Sequence, residues 1–377
     1  MTVNCLGLRF RTPVIAGAGP QTDGTAALAS AMSGGAGALV SRTLFANGDT
    51  TQEHAHSYEA LPYGRDGLLS APAPTPEDGA QSLAQTARLA QEKSVPLIAS
   101  ITGAAESIAP VAIRLVSSGV QALEYATQYV TWDVAVAALT TLRHAVSLPI
   151  IAKLSLTHGE DIADRAQAIE SLVDGFTCIA PFGPVLDLDI EGGGNARLGS
   201  PHGYGYLSGQ PIHPIAVRTV FEVARRVHKP VLAAGGAMRP QDIAEFLAVG
   251  ASLVQVNTAA ILKGPSIYGT LTNGLRHWLD ERGIQSVSAL TATYLQRFGN
   301  GQRVVTETEE APLLTAEACS RCSICGDVCC YDAIAAPKGQ LPAIDPLLCF
   351  QCGLCVSACP SGALSFRPRS EVTLPQA

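Results

Sequence analysis

Residues 230–260 read PVLAAGGAMRPQDIAEFLAVGASLVQVNTAA. An apolar run, Pro230–Gly236, ends in a glycine pair, an amphipathic stretch, Gln241–Val249, follows, and a second apolar run, Leu253–Ala259, carries Asn257 and Thr258. Short, almost continuously apolar runs suit parallel strands buried on both faces. Parallel neighbours need a crossover of a dozen or more residues, usually a helix, and the stretch between the runs supplies it. The unit therefore reads strand, helix, strand. Glycine at the end of the first strand lets backbone N–H groups approach a phosphate beside a helix start. Close packing of strand on helix is the other use of glycine there.

Working outward, the same kind of apolar run recurs at Pro13–Gly19, Ala38–Thr43, Pro96–Thr102, Ala122–Thr127, Pro149–Ser155 and Gly175–Pro181. Helical patterns lie between them at Val111–Ser118, Val134–Ala145, Ile162–Val173 and Ile215–Val227. Eight strands alternating with helices over ~265 residues predict an α/β protein built on a (β/α)8 TIM barrel. A doubly wound dinucleotide fold would want G-x-G-x-x-G after the first strand, and Ala16-Gly17-Ala18-Gly19-Pro20 does not supply it.

The rest of the chain is decided by cysteine. Nine of the 11 cysteines lie between Cys319 and Cys359, and Cys5 and Cys178 stand alone before them. Cys349-x2-Cys352-x2-Cys355-x3-Cys359-Pro360 has the spacing with which bacterial ferredoxins hold [4Fe–4S] clusters, and Cys319-x2-Cys322-x2-Cys325-x3-Cys329 repeats it, with Cys330 in the place of the proline. Three thiolates of each run wrap one cluster while the fourth ligates the other. This assigns Cys319, Cys322, Cys325 and Cys359 to one cluster, and Cys349, Cys352, Cys355 and Cys329 to a second. Zinc sites pair ligands across a long loop and close at four, which explains two such runs poorly. Cys330 has no ligand role in this count and is expected to be a buried structural thiol. The expected organisation is a barrel over 1–297, a linker over 298–318 and a small α+β two-cluster ferredoxin-like domain over 319–377.

Composition agrees with a packed α/β enzyme: 377 residues, 47% hydrophobic, 15% charged, 5% aromatic. A net charge of −7 gives a nucleic-acid role no electrostatic support. No apolar run reaches the ~18 residues of a membrane span, and the amino terminus lacks a signal-peptide core, so a soluble, cytoplasmic protein is expected.

Strand five ends in Ala152-Lys153-Leu154-Ser155. A lysine inside a barrel mouth is costly unless it meets an anion, and the negatively charged edge of a reduced flavin is such a partner. With these segments in place, the chain resembles, over nearly its whole length, the family uniting dihydroorotate dehydrogenases with the catalytic part of dihydropyrimidine dehydrogenases. The matching segments include Thr12-Pro13, Ala16-Gly17-Ala18-Gly19-Pro20, Pro96–Ile101, Ala152–Ser155, Leu207-Ser208-Gly209, Ile212-His213-Pro214, Gly235-Gly236 and Gln255-Val256. The resemblance implies an FMN barrel followed by two [4Fe–4S] clusters. It implies that Gly17, Ala18 and Thr43 line the flavin and that Lys153 holds its anionic edge. Ser208, Gly209, Gly235, Gly236, Asn257 and Thr258 would surround the ribityl phosphate.

The pattern breaks where that family keeps its chemistry. Its general base lies in a segment reading roughly Asn-x-Ser-Cys-Pro after strand four; here Ala126 takes the asparagine's place and Tyr129 the cysteine's. After strand six, Ala180-Pro181 replaces an Asn-Thr pair, and Arg42 stands for a lysine after strand two. Lost partners in a buried pocket cost ~1–3 kcal/mol each, which argues against uracil, thymine or orotate. Tyr129 reads either as a phenolic acid opposite the flavin or as an aromatic wall. Arg42 reads as a partner for a substrate carboxylate or for the flavin.

Two long inserts, Phe45–Asp78 with His54, His56, Tyr58, Tyr63 and Arg65, and Phe182–Tyr206 with His202 and Tyr204, are expected to be lids. Asp187, Asp189 and Glu191 read as a metal site or as a solvated loop. No motif for NAD(P)H is evident. The expectation is an FMN and iron–sulfur oxidoreductase subunit that exchanges electrons with a separate protein, either a flavoprotein NAD(P)H subunit or a ferredoxin. It would act on a CH–CH or C=C bond of a small non-pyrimidine substrate. A true dihydropyrimidine dehydrogenase subunit and a non-catalytic electron-transfer component are the alternatives, and a homo- or hetero-oligomer is left open.

Overall fold

The computed structural model describes residues 1–46, 58–61, 66–70, 79–159, 161–300 and 311–366. The chain divides into two compact units, Met1–Gln302 and Arg303–Ala377.

The first unit is a closed parallel barrel. Its strands are β1 (Val14–Ala16), β2 (Leu39–Val40), β3 (Leu97–Thr102), β4 (Ala122–Ala126), β5 (Ile150–Leu154), β6 (Gly175–Cys178), β7 (Val231–Ala234) and β8 (Ala251–Val256). They pair in sequence order, β8 returns to β1 with Val254 opposite Val14, and β2 sits against both β1 and β3, so no edge is left open. The alternating helices are α1 (Gly24–Ser33), α2 (Gly79–Glu92), α3 (Ala105–Ser117), α4 (Trp132–Ala145), α5 (Ile162–Ala168), α6 (His213–Ala224), α7 (Pro240–Ala248) and α8 (Ile267–Glu281). Each expected strand is present. The last starts two residues earlier than its apolar run, at Ala251, and the sixth stops at Cys178. The third helix runs well upstream of the pattern at Val111, through Pro110. No helix among the described residues is long and apolar enough to cross a membrane.

Two cores follow from the pleat. Strand side chains facing the helices join one large cluster that includes Leu97, Ala99, Leu123, Tyr125, Ala152 and Phe176. Side chains facing the barrel axis alternate with these. At the amino-terminal end of the strands the axial layer is apolar: Ile15, Val40, Ile98, Ala122, Ile151, Leu232 and Leu253, closed below by the hairpin Val3–Cys5/Leu8–Phe10. One step of two residues further along the strands, the axial positions become Ser100, Glu124, Lys153, Thr177 and Gln255, all buried. The barrel changes from oil to charge toward its carboxyl end, where TIM barrels place their sites.

Over that end lies a four-stranded antiparallel sheet, ordered Phe182–Val185, Gly205–Gly209, Gly67–Ser70, Tyr58–Ala60. Leu207 faces Leu69 and Ser208 faces Leu68, so the two inserts pair with each other and are sheet where long loops were expected. His54, His56, Tyr63 and Arg65 lie outside the described residues.

The second unit repeats one motif twice. Short helices Ile324–Asp327 and Leu354–Ser357 follow the two cysteine loops, and two small hairpin-like pairs, Leu313–Leu314 with Leu364–Ser365 and Ile334–Ala335 with Ala343–Ile344, cover them. Ile334, Cys355 and Leu364 form its core.

Candidate active site

Two adjoining cavities open at the carboxyl end of the barrel. The first is lined by Gly17 and Ala18 after β1, Lys153 on β5, Ser208 and Gly209 from the cap sheet, Gly235 and Gly236 after β7, and Gln255, Asn257 and Thr258 at the end of β8. The structure thus brings nine of the ten expected cofactor residues onto one wall system. Thr43, the tenth, lies in the second cavity, its hydroxyl 2.9 Å from that of Ser100.

The glycines are required by the geometry. Gly236 has φ of 84°, and a Cβ there would stand 2.6 Å from the Gly209 carbonyl oxygen and 2.7 Å from the His213 Cβ. Gly235, with φ of 120°, would press on Ala216 at 2.8 Å. Thr258 donates to the Ser208 hydroxyl at 2.9 Å, which in turn donates to the Leu68 carbonyl, tying the end of β8 to the cap. Asn257 Oδ1 is buried with no partner inside the protein. A glycine-lined backbone cradle, hydroxyls, an unsatisfied amide oxygen and a buried lysine form a set that fits FMN, with its phosphate and its polar ring edge.

Lys153 has an anion that sequence reading missed. Its Nζ lies 3.4 Å from Glu124 Oε1 and donates to Gln255 Oε1 at 3.2 Å. Glu124 is fully buried and also accepts from the Thr177 hydroxyl at 2.8 Å and from the Gln255 amide. The two-residue alternation from Ala122 to Glu124 was the available signal.

The second cavity shares Ala18, Pro181, Ser208 and Asn257 with the first. Its other walls include Thr43, Arg42, Phe45, Tyr58, Leu68, Gln128, Tyr129, Tyr206 and Ile261. Tyr129 sits on a 3-10 turn directly after β4, its ring centroid 4.8 Å from that of Phe45. Burial pushes its phenol up to about 12; a Gln128 hydrogen bond and the Arg42 charge work against that rise, while Tyr206 and Tyr58 add to it. Gln128 Oε1 is buried without a partner inside the protein. Arg42, expected to meet a substrate or flavin anion, is held at 2.6 Å by Asp23, a carboxylate 19 residues earlier in the loop after β1.

The cavity walls contain no cysteine. Cys178 is fully buried in β6 and Cys5 lies in the floor hairpin; burial raises both thiols, Cys5 to about 11. His202 and Tyr204 are exposed, their ring centroids 5.9 Å apart and their planes tilted by 43°, and line neither cavity. Asp187 and Asp189 face Arg197 at 3.1 and 3.7 Å, and Glu59 joins at 3.9 Å, so these acids form an ion-pair cluster.

In the second unit, Cys319, Cys322, Cys325 and Cys359 line one cavity, which joins the first three thiols of one run to the last of the other. Burial raises the Cys355 thiol, and Cys349, Cys352 and Cys329 are near enough to add to the rise. Cys330 is exposed rather than buried, since its neighbours Tyr331 and Asp332 are also at the surface.

A protein-family model for dihydroorotate dehydrogenase matches residues 194–279, and one for a 4Fe-4S binding domain matches residues 342–365. The chain is 29% identical to the catalytic subunit of dihydroorotate dehydrogenase B (NAD(+)) of Methanothermobacter thermautotrophicus, over 75% of this chain and 94% of that protein. Against the Staphylococcus carnosus protein of the same name the identity is 31%, over 53% of this chain and 68% of that protein. Against that of Pyrococcus abyssi it is 28%, over 78% and 99%.

Proposed function

The chain belongs to the dihydroorotate dehydrogenase family, and from that premise we propose that it is the substrate-handling subunit of an FMN- and iron–sulfur-dependent enzyme whose substrate is not a pyrimidine. The family makes it an oxidoreductase acting on CH–CH groups, with a flavin and a 4Fe-4S part. Residues 1–297 would carry the flavin and residues 319–377 two [4Fe–4S] clusters, ligated as the crossed cysteine sets suggest. A separate electron-carrying protein would connect to the clusters, in keeping with the relatives' designation as catalytic subunits.

FMN, when bound, supplies a carrier that exchanges a hydride with carbon and single electrons with iron–sulfur clusters. The chain does the rest. Gly235, Gly236, Ser208, Gly209, Asn257 and Thr258 would bind the phosphate end; Gly17 and Ala18 would line the ring, with Thr43 at its substrate side. Lys153, fixed by Glu124 and Gln255, would hold a positive charge at the ring's polar edge. Tyr129 would hold the proton at its Oη, and Arg42, set by Asp23, would lend the phenol a nearby positive charge.

The observation that carries this reading is the exchange of a thiol for a phenol. Tyr129, which the resemblance sets in the place of the family's cysteine, lines the second cavity, and no cysteine lines either cavity. A phenol is protonated at neutral pH with or without the rise that burial gives it here, so Tyr129 would enter the reaction as a proton donor and not as a base, which suits reduction of an activated C=C bond. The test is anaerobic stopped-flow reoxidation of the reduced holoenzyme. Uracil, thymine and orotate should reoxidise the flavin no faster than buffer, whereas some member of a panel of α,β-unsaturated acids and ketones should do so rapidly.

One observation favours a second reading, a dihydropyrimidine dehydrogenase subunit. The unpartnered Gln128 Oε1 beside the Tyr129 hydroxyl places an acceptor next to a donor, which an amide-like ring edge could match. Fast reoxidation by uracil or thymine in the same experiment would establish it in place of the first.

A further inference from the structure

The two halves of the cysteine module can be laid on each other by Cys319 and Cys349. Two residues before, one before and one after the cysteine, the first half has Glu317, Ala318 and Ser320. The second has Leu347, Leu348 and Phe350. Each half repeats a short strand, a short helix and a short strand, so the fold does not demand three large apolar side chains at these places. They are also not packed away: Leu347 is 94% exposed, Phe350 70%, Leu348 55%. Tyr331 adds to them by stacking on Phe350, with centroids 4.9 Å apart and planes at 25°. The Leu347 amide donates to Asp345 Oδ1 at 2.8 Å, which holds the turn that presents them.

Each such side chain left in water forgoes about 1.5–3 kcal/mol of burial, and a contiguous exposed apolar patch marks a contact surface. The charge around it selects the occupant. Asp332 and Asp345 are exposed beside Tyr331 and Leu347, and no lysine or arginine occurs from 339 to 366. A second copy of this chain, itself at −7, would bring like charge against like across a two-fold contact.

We propose that this collar beside Cys349, Cys352 and Cys355 is the docking face for a redox protein that presents an apolar centre ringed by basic residues. The inference rests on the reading above that the cysteine module carries electrons. At each encounter one electron leaves the reduced module and enters a one-electron centre of the partner, with no bond made or broken.

Cytochrome c, a basic one-electron acceptor, is the probe. Holoenzyme is reduced with dithionite, desalted anaerobically and mixed with cytochrome c or with ferricyanide, which needs no docking face. The variant Leu347→Glu/Leu348→Ala/Phe350→Ser writes the first half's side chains onto the second. It should lower the second-order rate with cytochrome c by ~tenfold or more. Its iron content and its rate with ferricyanide should stay those of the wild type. Asp332→Asn/Asp345→Asn should flatten the fall of the cytochrome c rate with salt. Ile113→Ser, at an apolar position on α3 about as exposed as Leu348, should change nothing. A wild-type cytochrome c rate in the triple variant with its iron intact overturns the proposal. So does a triple variant that changes the oligomeric state and leaves that rate alone, which would make the collar a contact between copies. If the wild-type protein, loaded with iron, reduces neither acceptor, the electron-carrying reading itself fails and the docking face falls with it.

Discussion

Lys153 Nζ stands 3.4 Å from Glu124 Oε1 across adjacent strands of the barrel, with the glutamate fully buried and the lysine nearly so. Their position follows from the pleat: Ala122 and Ile151 fill the apolar axial layer, and the next inward residues on the same strands are Glu124 and Lys153. Gln255 and Thr177 complete the set from β8 and β6. The lysine is thus neutralised by the protein itself and is still one wall of the cavity, so its charge is pre-positioned rather than recruited by a ligand.

Removing one member of a buried ion pair costs about 3–5 kcal/mol, because the other charge is left uncompensated. Glu124→Gln and Lys153→Met should each lower the melting temperature of flavin-free protein by several degrees. Glu124→Gln/Lys153→Met should recover most of that loss. Differential scanning calorimetry decides it, and a double variant as unstable as the sum of the singles would show that the pair is not a unit.

Gly236 offers a cleaner probe of the cradle than any polar residue. Gly236→Ala meets both a backbone oxygen and His213, whereas Gly264→Ala has nearly the same backbone angle, φ of 81°, and nothing within 4 Å. Both substitutions put an L side chain at a positive φ, which such residues rarely adopt, so backbone strain accompanies each. FMN affinity, measured by fluorescence quenching on reconstitution, should fall at least ~tenfold for Gly236→Ala and hold for Gly264→Ala. Equal losses in both would assign the effect to general destabilisation.

The barrel was readable because its strands are continuous apolar runs, and a run such as Leu97–Thr102 needs no partner to be recognised. The same continuity hid Glu124, since one carboxylate inside ALEYA looks like an interruption when it is the inward half of a period of two. The cap sheet was out of reach for a different reason. Leu69 and Leu207 pair across a sequence distance that no local pattern spans, and the segments look like loops when read singly. Arg42 was judged by its place at a strand end, but Asp23, the residue that engages it, belongs to another turn. The cysteine runs were readable because spacing along the chain is a local pattern, and the structure brings Cys319, Cys322, Cys325 and Cys359 to one cavity. Cys330, defined only by what it does not ligate, was misplaced.

That difference within the cysteine module can be measured. Cys330 is exposed and outside both four-thiol sets, while Cys359 shares a cavity with Cys319, Cys322 and Cys325. Cys330→Ser should retain full iron and the visible absorbance of the wild type. If each run's fourth cysteine serves the other run's cluster, Cys359→Ser should lose about half of the iron. Full iron in Cys359→Ser would undo the crossed assignment.

Tyr129 carries the chemical prediction. Tyr129→Phe keeps the ring against Phe45 and removes only the hydroxyl, so a wall would survive the change and a proton donor would not. With the substrate found by reoxidation screening, turnover should fall by about 10²–10⁴-fold while FMN content and KM stay within a few-fold. The pH dependence carries an independent signature. Burial raises the folded-state phenol to about 12, above an unfolded value near 10, so the protonated form is favoured in the fold. Its stabilising contribution is complete below about pH 10 and is lost as pH rises toward 12. Tyr125, raised to about 12 by burial and bonded to the Gly103 carbonyl at 2.7 Å, behaves in the same sense. Turnover by the wild type should therefore show no fall between pH 6 and 9 that Tyr129→Phe abolishes. Ultraviolet titration should show fewer tyrosines ionising late in the variant than in the wild type. A variant that turns over at the wild-type rate would make Tyr129 an aromatic wall and leave the proton to another group in the same cavity.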